Sequence, residues 1–293
     1  MNKWLLLLLS LIFHGSLHAQ FNPLLNNYDV KFIKLELEVT NTSGWIEGSC
    51  TMHALVVDQP LDTLVVELID TLTVDSIKIN QQICIFTHQN DEILIVPNNS
   101  IDSGQMFSSQ VFYHGLAISQ PGVHGSDVGV INLSGITSTN SETYHSKMWW
   151  PCKQVIGDKA DSMYVFLTTD STNKAGSIGM LSHVEQLPSG KLRYEWKADF
   201  PVAYYLAFFT VSDYIEYSFY LHPSQTDDSI FLGMFLPDSN YFNTNLNKID
   251  SIHGAMEMLA YYYGDYPFER YGYCIVTDNP HENIVRSKKI IKI

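Results

Sequence analysis

Tyr28-Asp29-Val30-Lys31-Phe32-Ile33-Lys34-Leu35-Glu36-Leu37-Glu38-Val39 constrains this chain more than any other stretch of it. Apolar and polar side chains alternate over much of the run. A period of two puts the apolar set on one face of an extended backbone, so the run predicts a half-buried strand. Asn41-Thr42-Ser43-Gly44 comes next. Asn and Gly tolerate the positive φ of tight turns, so the chain is expected to double back there into a second long strand, Trp45–Asp58.

Further short strands are expected at Thr63–Ile69, Ser76–Ile79, Ile83–His88, Ile93–Val96 and Gln105–Tyr113, most of them separated by Asp, Asn, Gly or Pro clusters. Regular short strands with such punctuation predict a β-sandwich or a related two-sheet domain. His114–Ser141 is rich in Gly, Ser, Thr and Asn and reads as a loop. Strands resume at Ser162–Thr169, Lys191–Lys197 and Tyr204–Tyr217. Leu246, Ile249, His253, Met256, Leu259, Ala260 and Tyr263 then recur at helical spacing, with Gly264 as a stop and Pro267 beyond it. A domain boundary is expected near Leu221–Asp228, where strands give way to this helix.

Of the 293 residues 45% are hydrophobic and 16% charged, enough apolar surface to offset chain entropy, which excludes a disordered chain. Lys plus Arg number 17 against 31 Asp plus Glu, a net charge of −14 that phosphate backbones repel, so no nucleic-acid partner is expected. Lys3, the apolar run Trp4–Phe13 and Leu17-His18-Ala19 read as a signal peptide over residues 1–19; the alternative is an N-terminal anchor. The run is shorter than the roughly 20 apolar residues of a membrane span. The mature chain is therefore expected to be exported, to the periplasm, cell surface or exterior, with no membrane span. Cys50, Cys84, Cys152 and Cys274 allow three full disulfide pairings or none, and the absence of C-x-x-C argues against a cysteine zinc site. Arg286, Lys288, Lys289 and Lys292 form an atypical basic tail over 284–293, either a solvated end or sequence foreign to the fold, such as a frameshift product.

Three passages carry a resemblance. Met148-Trp149-Trp150-Pro151-Cys152, followed by Asp158-Lys159-Ala160-Asp161 and a strand, resembles the W/F-x-P-C…D-K-A-x element of aminopeptidase N-like zinc metallopeptidases (gluzincin aminopeptidases). The Tyr28–Asp58 hairpin, with Gly48 ahead of the second strand's core, resembles that family's opening strands. Tyr263-Gly264-Asp265-Tyr266-Pro267-Phe268-Glu269-Arg270-Tyr271 resembles its F-G-x-Y-P-F-x-K-Y signature. The resemblance spans about Tyr28 to Val276. It implies a mainly β fold, with a saddle-like β-sandwich domain over 20–221. A truncated α/β, thermolysin-like start of a catalytic domain follows over 222–293.

The family uses zinc held by H-E-x-x-H and a downstream glutamate to trim peptides from the amino end. The glutamate of that motif acts as general base on zinc-bound water. This sequence contains no H-E-x-x-H. His281-Glu282-Asn283-Ile284-Val285 begins like one, but Val285 cannot ligate a metal. Gly254-Ala255-Met256-Glu257 imitates the family's G-A-M-E-N motif but lies upstream of Tyr266-Pro267-Phe268 and reads as helix core. The downstream position holds Asn279-Pro280-His281-Glu282-Asn283 instead. His53, His88 and His114 fall in strand-like segments and read as structural. Thr139-Asn140-Ser141-Glu142 resembles the family's T-Q-x-E, which implies that Asn140 and Glu142 contact a substrate's amine in a full-length context. No catalytic residue and no metal ligand is expected in this chain, with zinc a property of the full-length family. The expectation is thus the N-terminal portion of an exported aminopeptidase, inactive alone, whose partners in full-length context are peptide N-termini. Self-association through the exposed truncated domain is also expected. The alternative is a non-catalytic β-sandwich binding or scaffold module, using the His114–Ser141 loop beside the aromatic cluster.

Overall fold

The computed structural model describes residues 22–122, 125–221, 230–264, 270–274 and 290–291. The signal peptide, most of the Tyr263–Tyr271 signature, His281–Val285 and most of the basic tail lie outside them.

The opening hairpin forms as its alternation predicts. Tyr28–Val39 pairs antiparallel with Trp45–Val56, Leu35 opposite Cys50. A register irregularity between Val30 and Phe32 shifts the alternation. Val30 and Ile33 are therefore both buried, while Phe32 stays on the outer face. On its other side Tyr28–Val39 pairs parallel with Ser162–Thr169. The resulting eight-stranded sheet runs Met180–Gln186, Leu192–Ala198, Ser162–Thr169, Tyr28–Val39, Trp45–Val56, Met106–Leu116, Thr73–Ile79, Gln82–Ile83. A three-stranded sheet (Leu64–Glu67, Glu92–Val96, Ile85–Gln89) and a five-stranded sheet (Lys174–Ser177, Phe209–Ser212, Ile136–Asn140, Asp127–Leu133, Ser119–Pro121) share one apolar core with it. Leu35, Ile46, Leu64, Trp149, Trp196 and Phe209 mark that core. The fold is mainly β, as expected.

Ile215–Leu221, Ile230–Leu236, Arg270–Cys274 and Ile290–Ile291 form a further sheet. The helix Ser239–Tyr263 packs on it through Ile249 and Met256, which meet Leu232, Met234 and Leu236. Ile215–Leu221 and Ile230–Leu236 pair antiparallel with each other; the boundary expected near Leu221–Asp228 lies almost wholly outside the described residues. Phe235 ties this unit to the larger core: it stacks on Tyr214 at 5.7 Å and meets Trp196 edge-on at 6.4 Å.

Several elements differ from expectation. His114–Ser141 is not a loop: His114 ends inside Met106–Leu116, and Ser119–Pro121, Asp127–Leu133 and Ile136–Asn140 are strands. Its small polar residues suit a strand because their hydroxyls find buried partners; Thr137 Oγ1 donates to the Ser43 carbonyl and Ser141 Oγ to that of Ala207. Ile83–His88 breaks at Cys84 and divides between two sheets. Tyr204–Tyr217 breaks into a 3-10 turn and separate strands. On the helix, Leu246, His253, Leu259 and Tyr263 are exposed, and the buried stripe is Ile249, Met256 and Ala260. Cys50, Cys84 and Cys152 are buried free thiols.

Candidate functional site

Thr139-Asn140-Ser141-Glu142 leaves the end of strand Ile136–Asn140 with its side chains alternating. Thr139 and Ser141 are buried and anchor the segment. Thr139 Oγ1 accepts from Phe209 N–H at 2.9 Å, and Ser141 Oγ accepts from Trp149 Nε1 at 3.0 Å. Asn140 and Glu142 are half-buried and face the other way. Asn140 Nδ2 donates to the Asp127 carbonyl at 2.8 Å, and Glu142 Oε1 lies 3.4 Å from Ser126 Oγ. Glu142 has φ of 39°, the left-handed region that a non-glycine residue enters only when its surroundings hold it there.

The Ser141–Trp149 bond joins this segment to the aromatic corner. Trp149 is fully buried, edge-on to Phe209 at 5.5 Å, and its carbonyl accepts from Tyr113 Oη at 3.1 Å. Tyr204 Oη donates to the Thr143 carbonyl, and Ser146 Oγ to the Tyr204 carbonyl at 3.3 Å. The short turn between the two motifs is thus held from several sides. Pro151 carries the chain out of the corner, and Cys152 bridges to Glu67 by backbone bonds of 2.8 and 3.0 Å. Burial pushes the Cys50 and Cys152 thiols up, so both stay protonated and are poor metal ligands or nucleophiles.

Two charged clusters brace the corner. Lys153 Nζ sits 2.5 Å from Asp158 Oδ2, bonds the Tyr28 carbonyl, and lies 4.5 Å from the centre of the Tyr28 ring. Asp158 also accepts from Val30 N–H at 3.3 Å. Burial raises its carboxyl; the hydrogen bond and charge of Lys153 pull the other way. Glu67 accepts from Gln154 N–H at 3.0 Å and Gln154 Nε2 at 3.2 Å, and burial raises its carboxyl against those bonds. Asp158 belongs to the D-K-A element. Neither Glu67 nor Gln154 was marked by any motif; each is identified only by its partner, 87 residues away.

The three histidines of the strand-like segments each meet a neighbouring group of the fold. His88 Nε2 meets the Leu68 carbonyl at 2.9 Å and His114 Nδ1 meets Asp75 at 2.9 Å. His53 lies against the Phe32 ring at 5.1 Å. Met256 of Gly254–Glu257 is core, and Glu257 pairs with His253 at 3.6 Å. Among the described residues no three His, Cys, Asp or Glu side chains come together as a metal site. None of their helices is long and apolar enough to cross a membrane.

No family model and no curated protein sequence matches the chain. Solved structures do. An M1 zinc metallopeptidase from Deinococcus radiodurans superposes with a TM-score of 0.70 at 17% identity, covering 85% of this chain and 56% of that one. The fold is that of M1 zinc metallopeptidases. A point mutant of the same D. radiodurans enzyme bound to a Tyr-Ser-Ala substrate gives 0.70 at 16% identity, with the same coverage of both chains. A two-domain M1 zinc metallopeptidase mutant bound to L-arginine gives 0.72 at 17%, again over 85% of this chain. The chain spans little more than half, 56%, of each of these M1 structures.

Proposed function

We propose that this chain provides the β domain, and the opening sheet and helix of the catalytic domain, of an exported zinc aminopeptidase of the M1 type. The observation that carries the reading is the convergence of motif and fold. Thr139–Glu142 and Trp149–Cys152 resemble aminopeptidase N elements as sequence, and they are bonded together within an M1 metallopeptidase fold. In this reading Asn140 and Glu142 contact the α-ammonium of a peptide's first residue. Glu142 supplies an anionic acceptor, and the amide of Asn140 a neutral one.

The described residues do not fit a zinc site. Zinc belongs, in this reading, to a catalytic wall facing the β domain, and no hydrolytic step is assigned to the side chains of this chain. Purified protein should leave an aminoacyl-fluorophore substrate uncleaved in added zinc. Turnover that a chelator abolishes would overturn the reading. Export rests on Lys3 and the Trp4–Phe13 run. Fractionation of expressing cells should place the protein outside the cytoplasm and shortened by its first 19 residues or so.

The scaffold-module alternative drew on an open loop at His114–Ser141. That segment is largely strand, which removes its motivation.

A further inference from the structure

Ile85–Gln89 ends the three-stranded sheet, and no strand pairs with its outer side. Its hairpin turn fixes which backbone groups lie on that side. Asn90 and Asp91 have φ of 58° and 59°, the left-handed pair of a two-residue type I′ turn. Such a turn closes on a hydrogen-bonded pair, here Gln89 with Glu92. The backbone groups of Gln89, Thr87 and Ile85 therefore turn toward Glu92–Val96, and the N–H and C=O of Phe86 and His88 turn away. Cys84, on the same side, gives its N–H to the Ile77 carbonyl at 2.9 Å, where pairing with Thr73–Ile79 stops. Beyond it the edge is open. Ile83 and Ile85 are 70% and 75% exposed, and Val96, opposite Ile85, is 43% exposed. From Gln82 to Gln89 there is no Asp, Glu, Lys or Arg, in a chain of net charge −14. Other edges carry features that deter strand addition. Met180–Gln186 has Glu185 and a register shift between Leu181 and His183, Ser119–Pro121 has a proline, and Lys174–Ser177 and Ile215–Leu221 each carry a charge.

We propose that Ile85–Gln89 is a self-pairing edge, which joins two copies of this chain antiparallel about a two-fold axis through Thr87. In that register Phe86 lies opposite His88 of the partner subunit, and the two exchange both N–H···O bonds. Thr87 meets Thr87 of the partner subunit, and Ile85 meets Gln89 of the partner subunit, so no like charges are opposed. A chain of this net charge repels its own copies over most of its surface, and the uncharged edge is where they approach at least cost. The same edge gives an acidic or basic segment of another protein nothing to pair with, which favours a second copy as its occupant. The inference is independent of the aminopeptidase reading.

The test uses the full chain with Leu259→Ser and Tyr262→Ser throughout, so that these exposed side chains of the helix do not contribute to association. Sedimentation velocity should show a dimer. Thr87→Lys, at an exposed position, sets like charges face to face on the axis and should weaken the dimer at least about tenfold, with the melting temperature unchanged. Thr87→Cys should be oxidised by air and copper to a disulfide-linked dimer, because the Cα atoms of a non-hydrogen-bonded pair lie about 4.5 Å apart, within reach of a disulfide. Val184→Cys, on the exposed edge strand Met180–Gln186, is the control and should cross-link about tenfold more slowly. A dimer as tight in Thr87→Lys as without it, or Thr87→Cys linking no faster than Val184→Cys, would overturn the proposal. So would a chain that stays monomeric at its highest soluble concentration, which would leave the edge to a strand of another protein.

Discussion

Lys153 is an ammonium group almost cut off from water, with Asp158 2.5 Å away and the Tyr28 ring beneath it. Two charges removed from solvent are tolerable only together. Lys153→Met should cost about 3–5 kcal/mol, because it strands the Asp158 carboxylate, and the loss is measurable by urea unfolding. Glu67 makes a pH prediction. Burial raises its carboxyl in the fold, so the folded chain holds that proton more tightly than the unfolded chain does. The stabilising contribution is fully present below the ordinary carboxylate value and is lost as pH rises through the folded value. Wild type should therefore gain stability relative to Glu67→Gln as pH falls from about 7 to about 4.5, by denaturant titration at each pH. The sequence marked Asp158 and Lys159 as a motif, yet the partner of Asp158 is Lys153, which the motif passes over. A contact made by folding the chain back on itself has no local signature.

At the scale of elements, the Tyr28–Val56 hairpin and the helix were the most legible parts, since each announces itself by a period and a punctuating residue. Gly48 shows why that glycine stands in the second strand: a Cβ there would lie 1.9 Å from the Glu36 carbonyl oxygen. Gly48→Ala should cost about 2–3 kcal/mol through forced separation of the two strands, seen as a lower melting temperature. Asp238 caps the helix, its Oδ1 accepting from Tyr241 N–H at 2.7 Å. Asp238→Ala should cost about 1 kcal/mol and raise amide exchange in the first helical turn. Leu246 and Leu259 share the helix's period with Ile249 and Met256, yet they are exposed. Only the position of the sheet decides which stripe is covered. Met180–Gln186 went unpredicted for a related reason. It is an edge strand, exposed over most of its length, so it has little apolar alternation to read.

For the molecule as a whole, Met258, Leu259, Tyr261, Tyr262 and Tyr263 are exposed large apolar side chains at the end of the helix, on either side of buried Ala260, with Tyr263 at 85%. Sedimentation velocity should show association that grows with concentration and is reduced by Leu259→Ser with Tyr262→Ser. By itself the sequence determined the mainly β class, the opening hairpin, the helix and the pair of motifs that resemble an aminopeptidase. These are local patterns, written in spacing a few residues long. Tertiary structure alone decided that His114–Ser141 is sheet, that Glu67 meets Gln154, and that Asn140 meets the Asp127 carbonyl. Those outcomes depend on hydrogen-bond partners far apart in the chain, and a polar residue reads the same whether its partner turns out to be water or a buried carbonyl.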